Sequence, residues 1–314
     1  MTLTELRYLV AVARERHFGR AAQRCGASQP TVSVAIRKLE RELGVPLFER
    51  GAGEVTPTEI GERIVGQARR VLEQVGEMHE TARQGADPLD GPLRLAAIYT
   101  IAPYLLPPLV RQLQKDAPRM PLLLDENFTS RLLERLRAGE VDAALLALPL
   151  ADSGLAVLPL YDEPFVAAVP RDHPWSRRRS VAAGELAGQT TLLLGAGHCF
   201  REHVLQACPE LEGAARDAPY GQRLLEGSSL ETIRQMVASG IGVTVLPCTC
   251  VPERPRRDSL ITYVPFRRPV PGRRVVLAWR RSFPRPRAIE AVRQAVMRCT
   301  LPGVQPINPG ERLA

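Results

Sequence analysis

Two cysteines, Cys199 and Cys208, stand nine positions apart in the stretch GHCFREHVLQAC, with His198 against the first. Thiols at that spacing are either inert packing residues or a pair able to form and break a disulfide. If residues 200–207 are helical, a rise of 1.5 Å per residue sets the two Cα atoms ~13.5 Å apart. A disulfide needs about 5–6 Å, so the bond and the helix exclude one another. A closed loop of this size constrains the chain by roughly 3 kcal/mol on the entropy model, enough to move a balanced two-state element about a hundredfold. Cys199 follows Gly197 near the expected start of the helix, and Arg201 is two residues on. Helix N-terminal amides and a cation both favour the thiolate, the reactive form.

A second stretch with chemical content lies near the N-terminus. TELRYLVAVAR predicts a helix with Leu6, Leu9, Val10 and Ala13 at helical spacing and Thr2 or Thr4 as N-cap. A short helix follows over residues 18–24, then a turn at Gly26 and Ala27. Ser28 is a good N-cap and Pro30 is tolerated in the first turn of the next helix, which Gly44 ends. In that helix Val32, Ile36, Leu39 and Leu43 form an apolar stripe. Gln29, Ser33 and Arg37 lie at i, i+4, i+8 on another face, flanked by Thr31 and Lys38. This is either an ordinary amphipathic hairpin or a helix-turn-helix whose Gln and Arg read base edges while Thr, Ser and Lys hold phosphates. PLFERGAGEVTPTEIGE predicts a turn or wing. A long helix from about Glu59 to Gln84 carries Ile60, Ile64, Ala68, Val71, Val75, Met78 and Ala82 three or four apart, a narrow stripe suited to dimerisation. QGADPLDGP reads as a hinge.

From Leu93 onward short apolar runs (LRLAAI, MPLLLDEN, VDAALLALP, FVAAVP, IGVTVLP, RVVLAWR) alternate with helical segments. The pattern predicts an α/β domain with largely parallel sheets in two lobes around a cleft, and a C-terminal helix to about Cys299. The chain has 314 residues, 45% apolar and 24% charged, with a net charge of +8. These values fit a soluble globular protein with an anionic partner. Residues 1–50 hold nine Lys/Arg against five Asp/Glu, whereas residues 251–300 hold thirteen against three. Most of the excess therefore lies away from the helix-turn-helix and reads as a solvated face. No apolar run reaches the ~18 residues of a membrane span, and the start lacks a secretory signal. The expected location is the cytoplasm, where the six cysteines stay reduced at rest. Cys248-Thr249-Cys250 has no second ligand pair, so no metal and no cofactor is expected.

Arg20-Ala21-Ala22, Ser28-Gln29-Pro30-Thr31-Val32-Ser33, Ile36, Leu39-Glu40, Leu43-Gly44, Leu47-Phe48, Arg50, Thr58 and Gly61 resemble the signature of the LysR-type transcriptional regulators. The layout is similar along nearly the whole chain. The resemblance implies a winged helix-turn-helix (1–58), a linker helix (59–86) and a two-lobed periplasmic-binding-protein-like regulatory domain (93–300); the Pro- and Gly-containing stretches at 87–92 and 301–314 read as a hinge and a flexible tail. AIYTIAPYLLP, DENFTSRL, GHCFREHVLQAC and SSLETIRQMVASGIGVTVLP resemble the hydrogen-peroxide-sensing branch of that family. That likeness implies that Cys199 is peroxidatic and Cys208 resolving, and that Thr100, Thr129 and His198 line the peroxide pocket. It implies DNA contacts by Gln29, Pro30, Thr31, Ser33, Arg37, Lys38 and Arg50. The implied partners are promoter double-stranded DNA, hydrogen peroxide, RNA polymerase, a thiol reductant system and further copies of the chain, as homodimer and homotetramer. Glu202 and His203 depart from the branch's usual pattern. No histidine lies between Cys208 and Ser229, where relatives often place one against the reduced thiol; that role is absent or passes to another group, with His203 the candidate. Between Gly51 and Thr58 there is no Lys or Arg, and Pro57 stands where relatives usually have Leu, which implies weaker wing contacts to phosphate.

Two other functions compete. In one, a small metabolite in the interlobe cleft gates the regulator and the cysteines are incidental. In the other, the chain is a thiol peroxidase using Cys199, against which the DNA-binding unit argues. The expected class is a regulator and not an enzyme.

Overall fold

The computed structural model describes residues 1–50, 55–84, 89–150, 154–211, 224–252 and 259–307. The chain divides into two compact units, Met1–Asp87 and Pro88–Ala314.

In the first unit, α1 (Leu3–Glu15) opens on a capping box: Thr2 Oγ1 accepts from the Glu5 amide and Glu5 accepts from the Thr2 amide. α2 (Phe18–Arg24) is capped by His17, whose Nδ1 accepts from Gly19 and Arg20. α3 (Gln29–Leu43) starts at Ser28, whose Oγ accepts from the Thr31 amide, and stops at Gly44 with φ 72°. Val32, Ile36 and Leu39 of α3 are fully buried with Leu6 and Leu9 of α1 and Ala21 of α2. The hairpin of β1 (Phe48–Arg50) and β2 (Val55–Pro57) is antiparallel. α4 (Glu59–Gln84) leaves it at a close approach. A Cβ on Gly61 would sit 2.1 Å from the Leu47 carbonyl oxygen, so only glycine fits. Val65 and Ala68 of α4 join the core and the helix packs on α1, while Val71 and Met78 are exposed.

The second unit contains β3 (Leu93–Ile98), α5 (Ala102–Asp116), β4 (Leu122–Asn127), α6 (Thr129–Arg137), β5 (Ala143–Ala147) and the long β6 (Leu155–Pro170). β7 (Thr191–Leu194), α7 (Cys199–Ala207), β8 (Leu224–Gly227), α8 (Leu230–Ala238) and β9 (Val243–Pro247) follow. β10 (Ile261–Pro265), β11 (Gly272–Arg280), α9 (Pro286–Arg298) and β12 (Gln305–Pro306) complete it. The strand order is β4-β3-β5-β11-β6-β9-β7-β8, with β10 and β12 also on β6. Two apolar cores define two lobes. The first gathers β3, β5, α5, α6, α9 and the near ends of β6 and β11. The second gathers the far end of β6 with β7, α7, α8, β9 and β10. β6 thus runs from one lobe into the other.

The sheet is mixed rather than largely parallel. β3 is parallel to β4 and β5, and β7 to β8 and β9, but β6 and β11 run antiparallel to each other and to the strands they join. Helical crossovers make the parallel pairs. β6 and β11 have no such crossover, and short apolar runs do not encode direction. Two boundaries also differ from expectation. Residues 301–307 belong to the fold, because β12 pairs with β6 and buried Ile307 donates to the Leu160 carbonyl. Of the expected hinge, residues 87 and 88 lie outside the described residues. The carbonyls of Asp90, Gly91 and Pro92 all accept from buried Arg285, at 2.9, 3.2 and 2.8 Å.

Candidate functional site

Cys199 is the first residue of α7 and Cys208 its C-cap. Nine helical residues therefore separate the two thiols, ~13.5 Å at the helical rise, and both are free. Cys199 is half-buried against the first lobe's core, whereas Phe200, Val204, Leu205 and Cys208 are buried in the second. Burial, reinforced by Glu210, pushes the Cys208 thiol up to about 11.

Beside Cys199 lies a small cavity lined by Thr100, Thr129, His198, Tyr99, Phe128 and the Cys199 side itself. It leaves about 10 Å³ for the centre of a water-sized molecule, about the room one water requires. The cavity brings together Thr100, Thr129, His198 and Cys199, as the sequence reading groups them. Thr100 is buried at the end of β3 and its Oγ1 accepts from Arg273 Nη1 at 2.6 Å, leaving its own proton to donate. Thr129 opens α6, and its buried Oγ1 has no partner among the described residues. His198 is the N-cap of α7; burial lowers its pKa, against a hydrogen bond with the Ser228 backbone. α6 and α7 both begin at the cavity, so two helix N-termini bring partial positive charge to it.

The cation near Cys199 is not Arg201. On a helix, residues two apart face different sides. Arg201 donates to the Leu194 carbonyl and pairs with Glu226 at 2.8 Å. Arg273 takes that place, fully buried on β11 directly opposite Glu163 of β6. Its Nε donates to Glu163 Oε2 at 2.6 Å, its Nη2 to the Thr100 carbonyl at 3.0 Å, and its guanidinium carbon sits 5.2 Å from the centre of the Phe200 ring. Thr249 donates to the other Glu163 oxygen at 2.5 Å. Burial alone would lower the Arg273 pKa, but Glu163 and the Cys199 sulfur raise it. A buried ion pair of this kind holds only because its remaining polar atoms are bonded. Sequence patterning misses Arg273, Glu163 and Thr249. The available signal is a charge at an inward position of each of two apolar strands.

His203 does not reach Cys208. Its Nε2 donates to the Leu148 carbonyl of the first lobe at 2.8 Å, its Nδ1 has no partner among the described residues, and burial, then Arg273, lower its pKa to about 4. Tyr104 Oη also donates to Glu231 across the lobes at 2.8 Å. Cys248 and Cys250 lie in a buried turn with raised pKa values, chiefly from burial, and no group of three metal-ligating side chains occurs among the described residues.

On the first unit, Gln29, Pro30, Thr31, Arg37 and Lys38 are exposed and Ser33 partly so, on the side of α3 away from its buried stripe. Lys38 turns back to α1 and donates to Glu5 at 2.8 Å, so it does not stand free beside Arg37. Arg50 ends β1; its side chain, and wing residues 51–54, lie outside the described residues. No helix among the described residues is long and apolar enough to cross a membrane.

Residues 3–62 match the bacterial regulatory helix-turn-helix protein, lysR family, and residues 86–299 match the LysR substrate binding domain. The chain is 42% identical over 284 residues to the hydrogen peroxide-inducible genes activator of Pectobacterium carotovorum, covering 90% of this chain and 92% of that protein. It is 40% identical over 296 residues to the DNA-binding transcriptional dual regulator OxyR of Escherichia coli, covering 94% and 95%. Among solved structures it is similar to full-length OxyR of Pseudomonas aeruginosa, determined as a cysteine-to-aspartate variant. The TM-score is 0.81 at 48% identity, with 100% of this chain and 99% of that one covered. A hydrogen-peroxide-bound OxyR variant of Corynebacterium glutamicum gives a TM-score of 0.63 at 32% identity, covering 95% and 92%.

Proposed function

The chain belongs to the LysR family of bacterial transcriptional regulators, among its OxyR-type members, and we propose that it senses hydrogen peroxide through a reversible disulfide between Cys199 and Cys208. One observation carries this reading. The cavity at Cys199 accommodates about one small molecule and offers two threonine hydroxyls, while the second thiol waits at the far end of the same helix. A larger metabolite has no room there. The space between the lobes is also bridged by Arg273–Thr100, His203–Leu148 and Tyr104–Glu231.

The chemistry follows in two steps. The Cys199 thiolate attacks one oxygen of hydrogen peroxide, the O–O bond breaks, and hydroxide leaves and takes up a proton to become water. Thr100 and Thr129 donate hydrogen bonds to the departing oxygen, and Arg273 together with the α6 and α7 N-termini offsets the negative charge. Cys199 is now a sulfenic acid. Cys208 attacks its sulfur, the S–O bond breaks and a second water forms. In the helix Cys208 is buried and its thiol pKa is near 11, so neither distance nor ionisation permits that attack. α7 must unravel first, which withdraws Phe200, Val204 and Leu205 from the second lobe's core. A dithiol reductant supplies two electrons and restores the helix.

The consequence is a repacked regulatory unit in a homotetramer whose helix-turn-helix units hold promoter DNA, with RNA polymerase as the downstream partner. The exposed apolar residues Val71 and Met78 of α4 support self-association. Gln29, Ser33 and Arg37 on one face of α3 support base reading, with Pro30, Thr31 and Arg50 around them. The test is peptide mapping by mass spectrometry after a brief, low dose of peroxide. A Cys199–Cys208 crosslink should form before any other, and Cys199→Ser should lose the promoter response. A Cys199→Ser protein that still responds would end the proposal.

A further inference from the structure

We infer that Tyr99, Phe128 and His198 form an aromatic gate over Cys199 that admits hydrogen peroxide and excludes bulky organic hydroperoxides; this rests on Cys199 being the peroxide-reactive thiol. The three rings pack on one another. Phe128 and His198 lie 4.8 Å apart at 64°, Tyr99 and Phe128 5.2 Å apart at 79°, and Tyr99 and His198 5.9 Å apart at 60°. These are stable edge-on or tilted geometries. All three line the cavity that holds the Thr100 and Thr129 hydroxyls and Cys199.

Two local features indicate that the rings serve the cavity rather than their own helices. Phe128 and His198 are the N-cap residues of α6 and α7, and neither makes a side-chain cap hydrogen bond. Ser, Thr, Asp or Asn would stabilise both helices better at those positions. The rings instead meet each other across the two lobes. Gly197 beside them has φ 95°, a left-handed conformation that favours glycine, and a Cβ there would make ordinary van der Waals contact with the Phe128 ring at 3.5 Å. Tyr99 is 38% exposed, so its ring borders solvent at the edge of the cluster.

With about 10 Å³ free for the centre of a water-sized molecule, about the room of one water, a peroxide of two oxygens enters by a small shift of the rings. A tertiary alkyl or cumyl group does not. For such a substrate the thiolate would attack the terminal oxygen, the O–O bond would break, and an alkoxide would leave as the protonated alcohol. The electron balance is unchanged, so discrimination must come from access.

The experiment uses the full-length reduced protein and the variants Phe128→Ala and Tyr99→Ala. Second-order rate constants for Cys199 oxidation by hydrogen peroxide and by cumene hydroperoxide are measured by trapping the sulfenic acid and weighing the peptide. The unaltered protein should strongly prefer hydrogen peroxide. In each variant the cumene-to-hydrogen-peroxide ratio should rise on the order of tenfold, the scale of a steric mismatch in a small pocket. Tyr99→Ala alters an exposed ring, so it keeps the test valid if Phe128→Ala melts early. An unchanged ratio in a folded variant would overturn the gate, as would equal rates for both peroxides in the unaltered protein. A Cys199 inert to hydrogen peroxide itself would remove the sensing proposal and the gate with it.

Discussion

Replacing His203 by glutamine should change how the reduction potential of the Cys199–Cys208 couple depends on pH. His203 lies buried on α7 with Nε2 donating to the Leu148 carbonyl and Nδ1 without a partner among the described residues. Burial first, then the Arg273 charge, hold its pKa at about 4, against the pull of the Leu148 bond. Once α7 unravels, the ring returns to water and to a value near 6.5. The neutral ring therefore stabilises the helical, reduced form. That contribution is complete above about pH 6.5 and is lost as the pH falls through about 4. The span amounts to about 3 kcal/mol, or roughly 70 mV in a two-electron couple. Within it the oxidised form binds one proton that the reduced form lacks. Reduction then takes up one proton fewer per two electrons, so the slope of potential against pH should be shallower by about 30 mV per pH unit. Glutamine keeps a donor for Leu148 and does not titrate, so its slope should lack that reduction. The assay equilibrates both proteins against dithiol–disulfide buffers from about pH 7.5 to 5 and counts alkylated thiols by mass. His198 and the carboxylates titrate alike in both proteins and cancel in the difference, which should reach about 45 mV at pH 5. Superimposable curves would refute the reasoning, because His203 would then keep its buried site on oxidation.

Thr129→Val should slow Cys199 oxidation about a hundredfold by removing a donor to the leaving oxygen. Stability should change by less than ~1 kcal/mol, since the lost hydroxyl had no protein partner; stopped-flow oxidation and a thermal melt read the two effects. Gly61→Ala drives a Cβ into the Leu47 carbonyl and should cost about 3 kcal/mol in denaturant unfolding of the first unit. Arg37→Ala should lose about 1–3 kcal/mol of specific DNA binding and relax base preference at one position, while Lys38→Ala, already engaged with Glu5, should lose less; titrations on wild-type and altered operators separate them. Cys208→Ser should accumulate the Cys199 sulfenic acid without a crosslink, seen as a mass increase on that peptide.

The helices were legible because their stop and start signals are local. Ser28 and Gly44 bound α3 where hydrogen-bonding chemistry alone puts them. The assembly of Thr100, Thr129, His198 and Cys199 was legible only through likeness to relatives, since these positions span a hundred residues of chain. Strand direction was not legible: LRLAAI and RVVLAWR have the same apolar character, yet β3 lies parallel to β5 and β11 antiparallel to it. The buried cation near Cys199 was missed for a related reason. Arg273 sits among thirteen arginines in fifty residues, and nothing in that run singles out the one that turns inward onto Glu163. Arg201 was the nearest cation in sequence and lies on another side of the helix. Residues 301–307 were read into the tail because Pro and Gly are common in loose ends, while a two-residue pairing with β6 leaves no periodic trace.

Hydrogen exchange across residues 200–208, before and after peroxide, tests the switch most directly. Slow exchange of these amides is expected in the reduced protein, where α7 hydrogen bonds protect them. Fast exchange is expected in the same molecules that carry the Cys199–Cys208 crosslink. Crosslinked protein whose α7 amides remained protected would contradict it, because the bond and the helix would then coexist.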